Sequence, residues 1–520
     1  MAKALSIVSG NTDLPLLKQT IGEAMDAAAD KYADRPALIV RHQSINWSYA
    51  ELNKKVDDFA AGLLSLGFQA GDRVGVWAPN CSEWIVAQYA TAKAGIIQVN
   101  INPAYRLHEL EYVLNKVSCK GLITAAQFKS SDYIDMLYQL APEIKTSKAG
   151  ELKSAKLPHL QCLIRLGEEK SDGFLNFEDI SAAANEESLE RLRDCSSGLT
   201  AESPINIQFT SGTTGSPKGA TLTHKNILNN GYFVGEAMKF TEQDRLCIPV
   251  PLYHCFGMVM GSLNCVTHGA CMVFPNDGFD PESTLKTISE EKCTALFGVP
   301  TMFIAELDYP EFKNYDMTSL RTGCMAGASC PIEIMKKVFD DMHMSEVTIA
   351  YGMTETSPVS FQSSTDDPME RRVSTVGRVH PHVEVKIINE QGETVARGEK
   401  GEFCTRGYSV MTGYWDDDER SEEAIDAEGW MHTGDLAILD DEGYCNIVGR
   451  VKDMVIRGGE NVYPREIEEF IYTNDKVQDV SVFGVPDDKY GEEICAWIKL
   501  KSDLQADEEE IKNFCKGQIA

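Results

Sequence analysis

Thr210-Ser211-Gly212-Thr213-Thr214-Gly215-Ser216-Pro217-Lys218-Gly219 is the stretch on which the reading of this chain turns. Before it, Ile205, Ile207 and Phe209 alternate with Asn206 and Gln208, the period-two signature of a strand. After it, Ala220 to Leu222 lead to Thr223, a good N-cap, and to a helix from about His224. Glycines let the backbone approach a phosphate closely, hydroxyls and amides donate hydrogen bonds to it, and Lys218 adds positive charge. The pattern G-x-x-x-x-G-K-[ST] is not met, because Lys218 follows Pro217 and precedes Gly219. A plain turn is the alternative, but the density of hydroxyls and glycines favours a phosphate-binding loop of another kind.

Outward from this loop, the first third alternates helical and strand-like segments. Ser48-Tyr49-Ala50-Glu51 is a capping box, and Leu52, Val56, Phe59 and Leu63 continue at helical spacing up to Gly67. Arg73 to Trp77 reads as a buried strand with a turn at Asn80; another helix precedes Gly95 and the strand Ile96 to Val99. This alternation predicts an α/β fold with doubly wound parallel sheets. The stretch 150–202 is polar and reads as an irregular connector. Beyond it, Val383, Val385 and Ile387 alternate with Glu384 and Lys386, and a hairpin is expected across Asp440-Asp441-Glu442-Gly443. These strands suggest a β-barrel-like subdomain. A helix over Glu466 to Tyr472 and strands over Val480 to Val485 and Ile494 to Leu500 predict a small α+β lobe. The expected domains are 1–449 and 450–520, joined at Gly449 to Asp453 without a low-complexity linker.

The 520 residues carry 49 Lys and Arg against 79 Asp and Glu, a formal charge of −30. That sign speaks against nucleic acid as partner, because phosphate-backbone affinity needs clustered cations; small anions need only a local site. Hydrophobic and charged contents of 43% and 25% are those of a globular protein. The 15 cysteines include no C-x-x-C pair and lie mostly in apolar stretches, such as Cys265 and Cys271, which favours reduced, buried thiols over a disulfide or zinc framework. No apolar run reaches about 18 residues, so no transmembrane segment is expected.

Further motifs accompany the loop: Tyr351-Gly352-Met353-Thr354-Glu355, Trp430 followed by Thr433-Gly434-Asp435, and Gly449-Arg450-Val451-Lys452-Asp453. In this order they resemble the signatures of the adenylate-forming, AMP-binding superfamily, which includes acyl-CoA synthetases, luciferases and peptide-synthetase adenylation domains. From about Pro15 to Ile519 the chain is most similar to animal mitochondrial medium-chain acyl-CoA ligases. The stretches carrying that likeness are Val99 to Tyr105, Pro251 to Cys255 and Arg457 to Pro464.

The resemblance implies a two-lobe enzyme that activates a fatty acid with ATP and Mg²⁺ and passes it to CoA, releasing pyrophosphate and AMP. It assigns Thr210, Ser211, Gly212, Thr213, Thr214, Gly215, Ser216, Pro217 and Lys218 to the ATP phosphates. It gives Tyr351 to the adenine, Thr354 to the α-phosphate, Glu355 to Mg²⁺ and Asp435 to the ribose hydroxyls. Arg450 would bridge ribose and phosphate, Lys452 would be the hinge of the small lobe, and Gly458 and Gly459 would receive pantetheine. His254 would line the acyl pocket, although on local grounds a structural histidine reads equally well. Gly257 to Gly261 suits a tunnel wall or a core helix, and His380-Pro381-His382 reads as a loop rather than a metal pair.

One departure stands out. The family's C-terminal lysine follows a glycine, yet no Gly-Lys pair occurs here and Lys516 precedes Gly517. The expectation is therefore an incomplete small lobe and impaired adenylation. The competing readings are a weakly active adenylate binder and a non-CoA adenylate former, either a luciferase-like oxidase or a carrier-protein loader. The resemblance implies a mitochondrial location, although no leader is visible; the alternative is the cytoplasm. Oligomeric state is not readable from the sequence.

Overall fold

The computed structural model describes residues 4–210, 217–328, 330–457, 460–462, 464–487, 491–502 and 504–516. Two large mixed sheets build the first lobe. In the eight-stranded sheet, Leu175–Asn176, Cys162–Arg165, Gly121–Thr124, Arg73–Trp77, Ile97–Asn100 and Pro204–Thr210 run parallel. Lys218–Thr223 and Gly413–Tyr414 then extend it antiparallel. The nine-stranded sheet has a parallel centre, from Pro36–Val40 through Cys271–Phe274, Arg245–Cys247, Ala295–Gly298 and Thr322–Ala326 to Glu346–Gly352. Parallel pairs need crossover connections, and the intervening helices bury their apolar faces between the sheets.

Local chemistry sets the helix ends. The Ser48 hydroxyl accepts from Glu51 N at 3.2 Å while the Glu51 carboxylate accepts from Ser48 N at 2.8 Å, so the expected capping box opens the helix Tyr49–Ser65. Thr223 likewise caps His224–Ala237 by accepting from Asn226 N at 3.2 Å. The stretch 150–202 departs from the irregular connector expected of it. It holds the strand Cys162–Arg165 and the helices Phe177–Ala182 and Glu186–Ser197, and Phe59 stacks on Phe177. Its few apolar residues, including Ile180 and Leu192, are buried, and that suffices to dock it.

The part expected to be barrel-like is a five-stranded antiparallel sheet. Its order is Ile7–Ser9, Val383–Ile388, Lys400–Gly407, Met431–Leu439 and Cys445–Arg450. A further antiparallel sheet of Glu460–Val462, Val455–Arg457, Gly491–Leu500 and Val477–Asp487 packs under the helix Pro464–Tyr472 around Ile471, Val477, Val480 and Val482. Among the described residues, no helix is long and apolar enough to cross a membrane.

His224 ties the lobe's first helix to this framework: its Nδ1 accepts from Ile21 N at 3.1 Å in a fully buried setting. Burial pushes its pKa from the ordinary 6.5 to about 4. Between those values the unfolded chain binds a proton that the folded chain refuses. Stability from this group is thus full above about pH 6.5 and falls by up to about 1.4 kcal/mol per pH unit toward pH 4. Chemical denaturation of the parent and of His224→Gln between pH 7.5 and 5 checks this. The variant is expected to lose part of the pH slope.

Candidate active site

The strand Pro204–Thr210 is held at its centre by buried amides. Gln208 Nε2 donates to Asn206 Oδ1 at 3.0 Å, and Asn206 Nδ2 donates to Asn100 Oδ1 at 3.0 Å. Gln98 Nε2 donates to the same Asn100 oxygen at 3.0 Å. The period-two pattern therefore does not mark a solvent face: both faces are buried and the polar one is satisfied by neighbouring strands. Cα pairing of Thr210 with Lys218 closes the ladder and sets the two ends of the glycine-rich loop side by side. Ser211, Gly212, Thr213, Thr214, Gly215 and Ser216 lie outside the described residues, as do Gly458 and Gly459.

Four side chains from four segments converge beside the loop's ends. Glu355 is buried, and its Oε1 accepts from Thr210 Oγ1 at 3.1 Å and from the Tyr414 hydroxyl at 2.9 Å. The Lys218 ammonium lies over the Tyr414 ring, 4.4 Å from its centroid. Burial first, and then the Glu355 charge, raise the Tyr414 pKa, so its hydroxyl stays a donor. Tyr112 adds a hydrogen bond to the Pro217 carbonyl at 3.1 Å. Thr354 opens the short turn Thr354–Thr356, where the Cys255 thiol lies close and donates to Gln208 Oε1 at 3.2 Å. Glu355 Oε2 takes no hydrogen bond among the described residues. A hard cation that binds one carboxylate, phosphate oxygens and water fits such a group, and Mg²⁺ is such a cation.

A second group begins at Tyr351, on the strand Glu346–Gly352 that leads into this turn. The Tyr351 hydroxyl donates to Asp435 Oδ2 at 2.5 Å, and Arg450 Nε donates to Asp435 Oδ1 at 3.1 Å. Asp435 is buried and Arg450 exposed. Desolvation raises the Asp435 pKa, opposed by the hydrogen bond from Tyr351 and the charge of Arg450. Each carboxylate oxygen has two acceptor sites, so Asp435 keeps capacity for further donors. These residues border a cleft of about 670 Å³ lined also by Gly327, Ala328 and Lys452, by Arg465 and Glu468 of the helix Pro464–Tyr472, and by Phe483 of the small sheet. Lys452 is exposed.

His254 sits just before the buried π-helical segment Phe256–Leu263, in which Gly257 packs against the Pro251–Leu252 backbone and Gly261 against the Ile248 side chain. Its side chain keeps solvent contact, while desolvation by its surroundings lowers its pKa. Its Nδ1 accepts from Phe256 N at 3.3 Å, so the neutral ring carries its proton on Nε2.

The AMP-binding enzyme family profile matches residues 25–415, and the C-terminal domain profile of the same enzymes matches residues 466–520. The chain belongs to the AMP-binding enzyme family. It is 48% identical over 507 residues to the putative acyl-CoA synthetase YngI of Bacillus subtilis, covering 97% of this chain and 92% of that protein. It is 46% identical over 521 residues to the mitochondrial medium-chain acyl-CoA ligase ACSF2 of Rattus norvegicus, covering 99% and 85%. Its fold matches the anthranilate CoA ligase AuaEII with a TM-score of 0.84 at 24% identity over 98% and 92% of the two chains. ATP-bound MatB from Rhodopseudomonas palustris matches with a TM-score of 0.80 at 29% identity over 96% and 92%. The superfamily and the fold expected from the motifs are therefore both found.

Tyr414, Arg465 and Phe483 escaped the motif reading. Tyr414 belongs to no compact signature, and only strand pairing of Gly413–Tyr414 with Lys218–Thr223 brings it to Glu355. Tyr414→Phe removes a hydrogen bond to a charged group, which contributes about 1.5–3 kcal/mol. The variant is expected to form acyl-adenylate about 10- to 100-fold more slowly in single-turnover kinetics and to melt at a lower temperature, because the bond is already made in the resting protein.

Proposed function

We propose that this chain is an ATP-dependent acyl-CoA ligase whose acid substrate is a medium-chain fatty acid. The observation that carries the reading is the convergence of Tyr351, Asp435 and Arg450 on one cleft, with Tyr351 four residues before Glu355 of the Thr210–Glu355–Tyr414 group. The two groups offer an anion acceptor pair for a sugar and a donor and carboxylate set for phosphates, at the spacing of one short turn. ATP binding by the similar MatB and the acyl-CoA ligase activity named for ACSF2 support the same assignment.

In this reading the fatty-acid carboxylate attacks the α-phosphorus of ATP, forming acyl-adenylate and releasing pyrophosphate. The thiol of CoA then attacks the acyl carbon and AMP departs. Thr210, Lys218 and Thr354 orient the phosphates, acting by placement and charge rather than as nucleophiles. Glu355 would hold Mg²⁺, which supplies positive charge beside the phosphate oxygens. Asp435 and Arg450 hold the ribose, and Tyr351 lines the adenine site. Neutral His254 stands at the acyl entrance, with the apolar Phe256–Leu263 segment forming the pocket wall. Lys452 serves as the pivot that turns the 450–520 lobe on the 1–449 lobe between the two steps, and the 458–459 glycines pass pantetheine. The animal relatives support a mitochondrial location, which fractionation of cells expressing the protein tests against a cytosolic one.

The deciding assay is CoA-dependent AMP release with acetate, octanoate and palmitate. Octanoate is expected to give the highest kcat/KM; AMP release without CoA dependence, coupled to light or to carrier acylation, overturns the ligase reading. Asp435→Asn is expected to weaken AMP binding about 10- to 100-fold, since it removes the charge that pairs with Arg450.

A further inference from the structure

The antiparallel pair Lys400–Gly407 and Met431–Leu439 carries an unassigned group of three different donor types on one face. Glu402 and Cys404 alternate onto that face, and Cys404 stands opposite His432 across the ladder. A bulge between Glu402 and Cys404 absorbs the Thr433-Gly434 step and draws the two strands' side chains together. Cys404 Sγ lies 3.6 Å from His432 Nδ1, and that same nitrogen lies 3.4 Å from Glu402 Oε2. All three donor atoms fall within 4.8 Å of one another.

The sulfur–nitrogen and nitrogen–oxygen separations are close to those of a coordination shell. A tetrahedral ion with a metal–sulfur bond of about 2.3 Å and metal–nitrogen and metal–oxygen bonds of about 2.05 Å places sulfur and nitrogen roughly 3.6 Å apart. The same ion places nitrogen and oxygen roughly 3.3 Å apart. A direct imidazole–carboxylate hydrogen bond would draw the latter pair to about 2.7–2.9 Å. The donors are also held from behind. Glu402 Oε1 accepts from Gly434 N at 3.1 Å, which leaves Oε2 for the site. Asp426 is anchored by the amides of Glu428 and Trp430, each at 2.9 Å. Its Oδ2 faces His432 Nε2 at 3.6 Å, the side of the ring away from Cys404. A carboxylate on the distal nitrogen of a ligating histidine is the usual outer partner at metal sites. Ile388 and Trp430 enclose the thiol, while His432 and Glu402 remain about one-third exposed, at 32% and 27%, so an ion has a way in.

We propose that Glu402, Cys404 and His432 bind a thiophilic divalent cation of the zinc type, with water in the fourth position and Asp426 as the partner that orients His432. Mixed sulfur, nitrogen and oxygen donors in tetrahedral array select zinc over magnesium or calcium. The site lies directly behind the Thr433–Asp435 turn: Phe403, on the opposite face of its strand, packs edge-on against Tyr351 with centroids 5.5 Å apart. A bound ion would clamp the strand pair that presents Asp435 to the cleft. The proposal stands independently of the acyl-transfer reading.

The test uses the full 520-residue protein, treated with chelator and titrated with Co²⁺ under reducing conditions. One equivalent is expected to bind with a thiolate-to-cobalt charge-transfer band and intense tetrahedral d–d bands, all displaced by Zn²⁺. Cys404→Ser is expected to lose the charge-transfer band. Glu402→Gln and His432→Asn are expected to weaken Co²⁺ binding at least about 10-fold, and Asp426→Asn about 10- to 100-fold, with far-UV circular dichroism unchanged. Absence of the band in the parent, its persistence in Cys404→Ser, or unchanged affinity in both folded Glu402→Gln and His432→Asn overturns the proposal.

Discussion

The pairing of Thr210 with Lys218 is the constraint from which the rest of the site follows. It holds because the amides of Gln98, Asn100, Asn206 and Gln208 satisfy one another inside the sheet, where an unpaired amide would cost about 1–3 kcal/mol. A slip of one residue would send Ile205 and Ile207 to the amide side and leave several polar groups without partners. With the register locked, the hydroxyl of Thr210 and the ammonium of Lys218 arrive together at the sheet's end, next to Glu355 and Tyr414. The next strand across the sheet, Gly413–Tyr414, inherits its place from that register.

The cleft depends on a different balance. Asp435 is buried enough that its charge is penalised, and two donors of unlike character offset the penalty. Tyr351 is neutral and comes from the sheet of the large lobe. Arg450 is charged, exposed, and closes the last strand before the small sheet begins. One carboxylate thus couples the nine-stranded sheet to the segment that leads into 450–520. Phe403 joins this arrangement from behind, so the geometry of the Asp435 turn is set jointly by the five-stranded sheet and by Tyr351.

Much of this was legible from local patterns, because the forces involved are local. The capping box at Ser48 and the N-cap at Thr223 depend on residues three apart, and both appear as expected. The strand at Arg73–Trp77, read as a buried apolar run, and that at Val383–Ile388, read from period-two alternation, also appear. The motif residues Tyr351, Asp435 and Arg450 come together although up to 99 positions separate them along the chain, roughly the length of a small domain. The stretch 150–202 misled because its polarity is high overall while a few buried apolar residues decide its docking. The Asn206 and Gln208 alternation marked a strand, as found, and the tertiary structure adds that neighbouring strands satisfy these amides.

The chain's order of residues alone established an α/β architecture, a phosphate-type loop, a negative field unsuited to polyanions, and membership signals spread along the chain. Those properties rest on backbone propensities, periodicity and short-range spacing, which are written in consecutive residues. Only the tertiary structure brought Tyr414 to Glu355, gave Asp435 its two donors, and assembled Glu402, Cys404 and His432 across a bulged strand pair. Such groupings come from register and strand order, long-range choices governed by the burial of whole sheets, and no short window of sequence contains them.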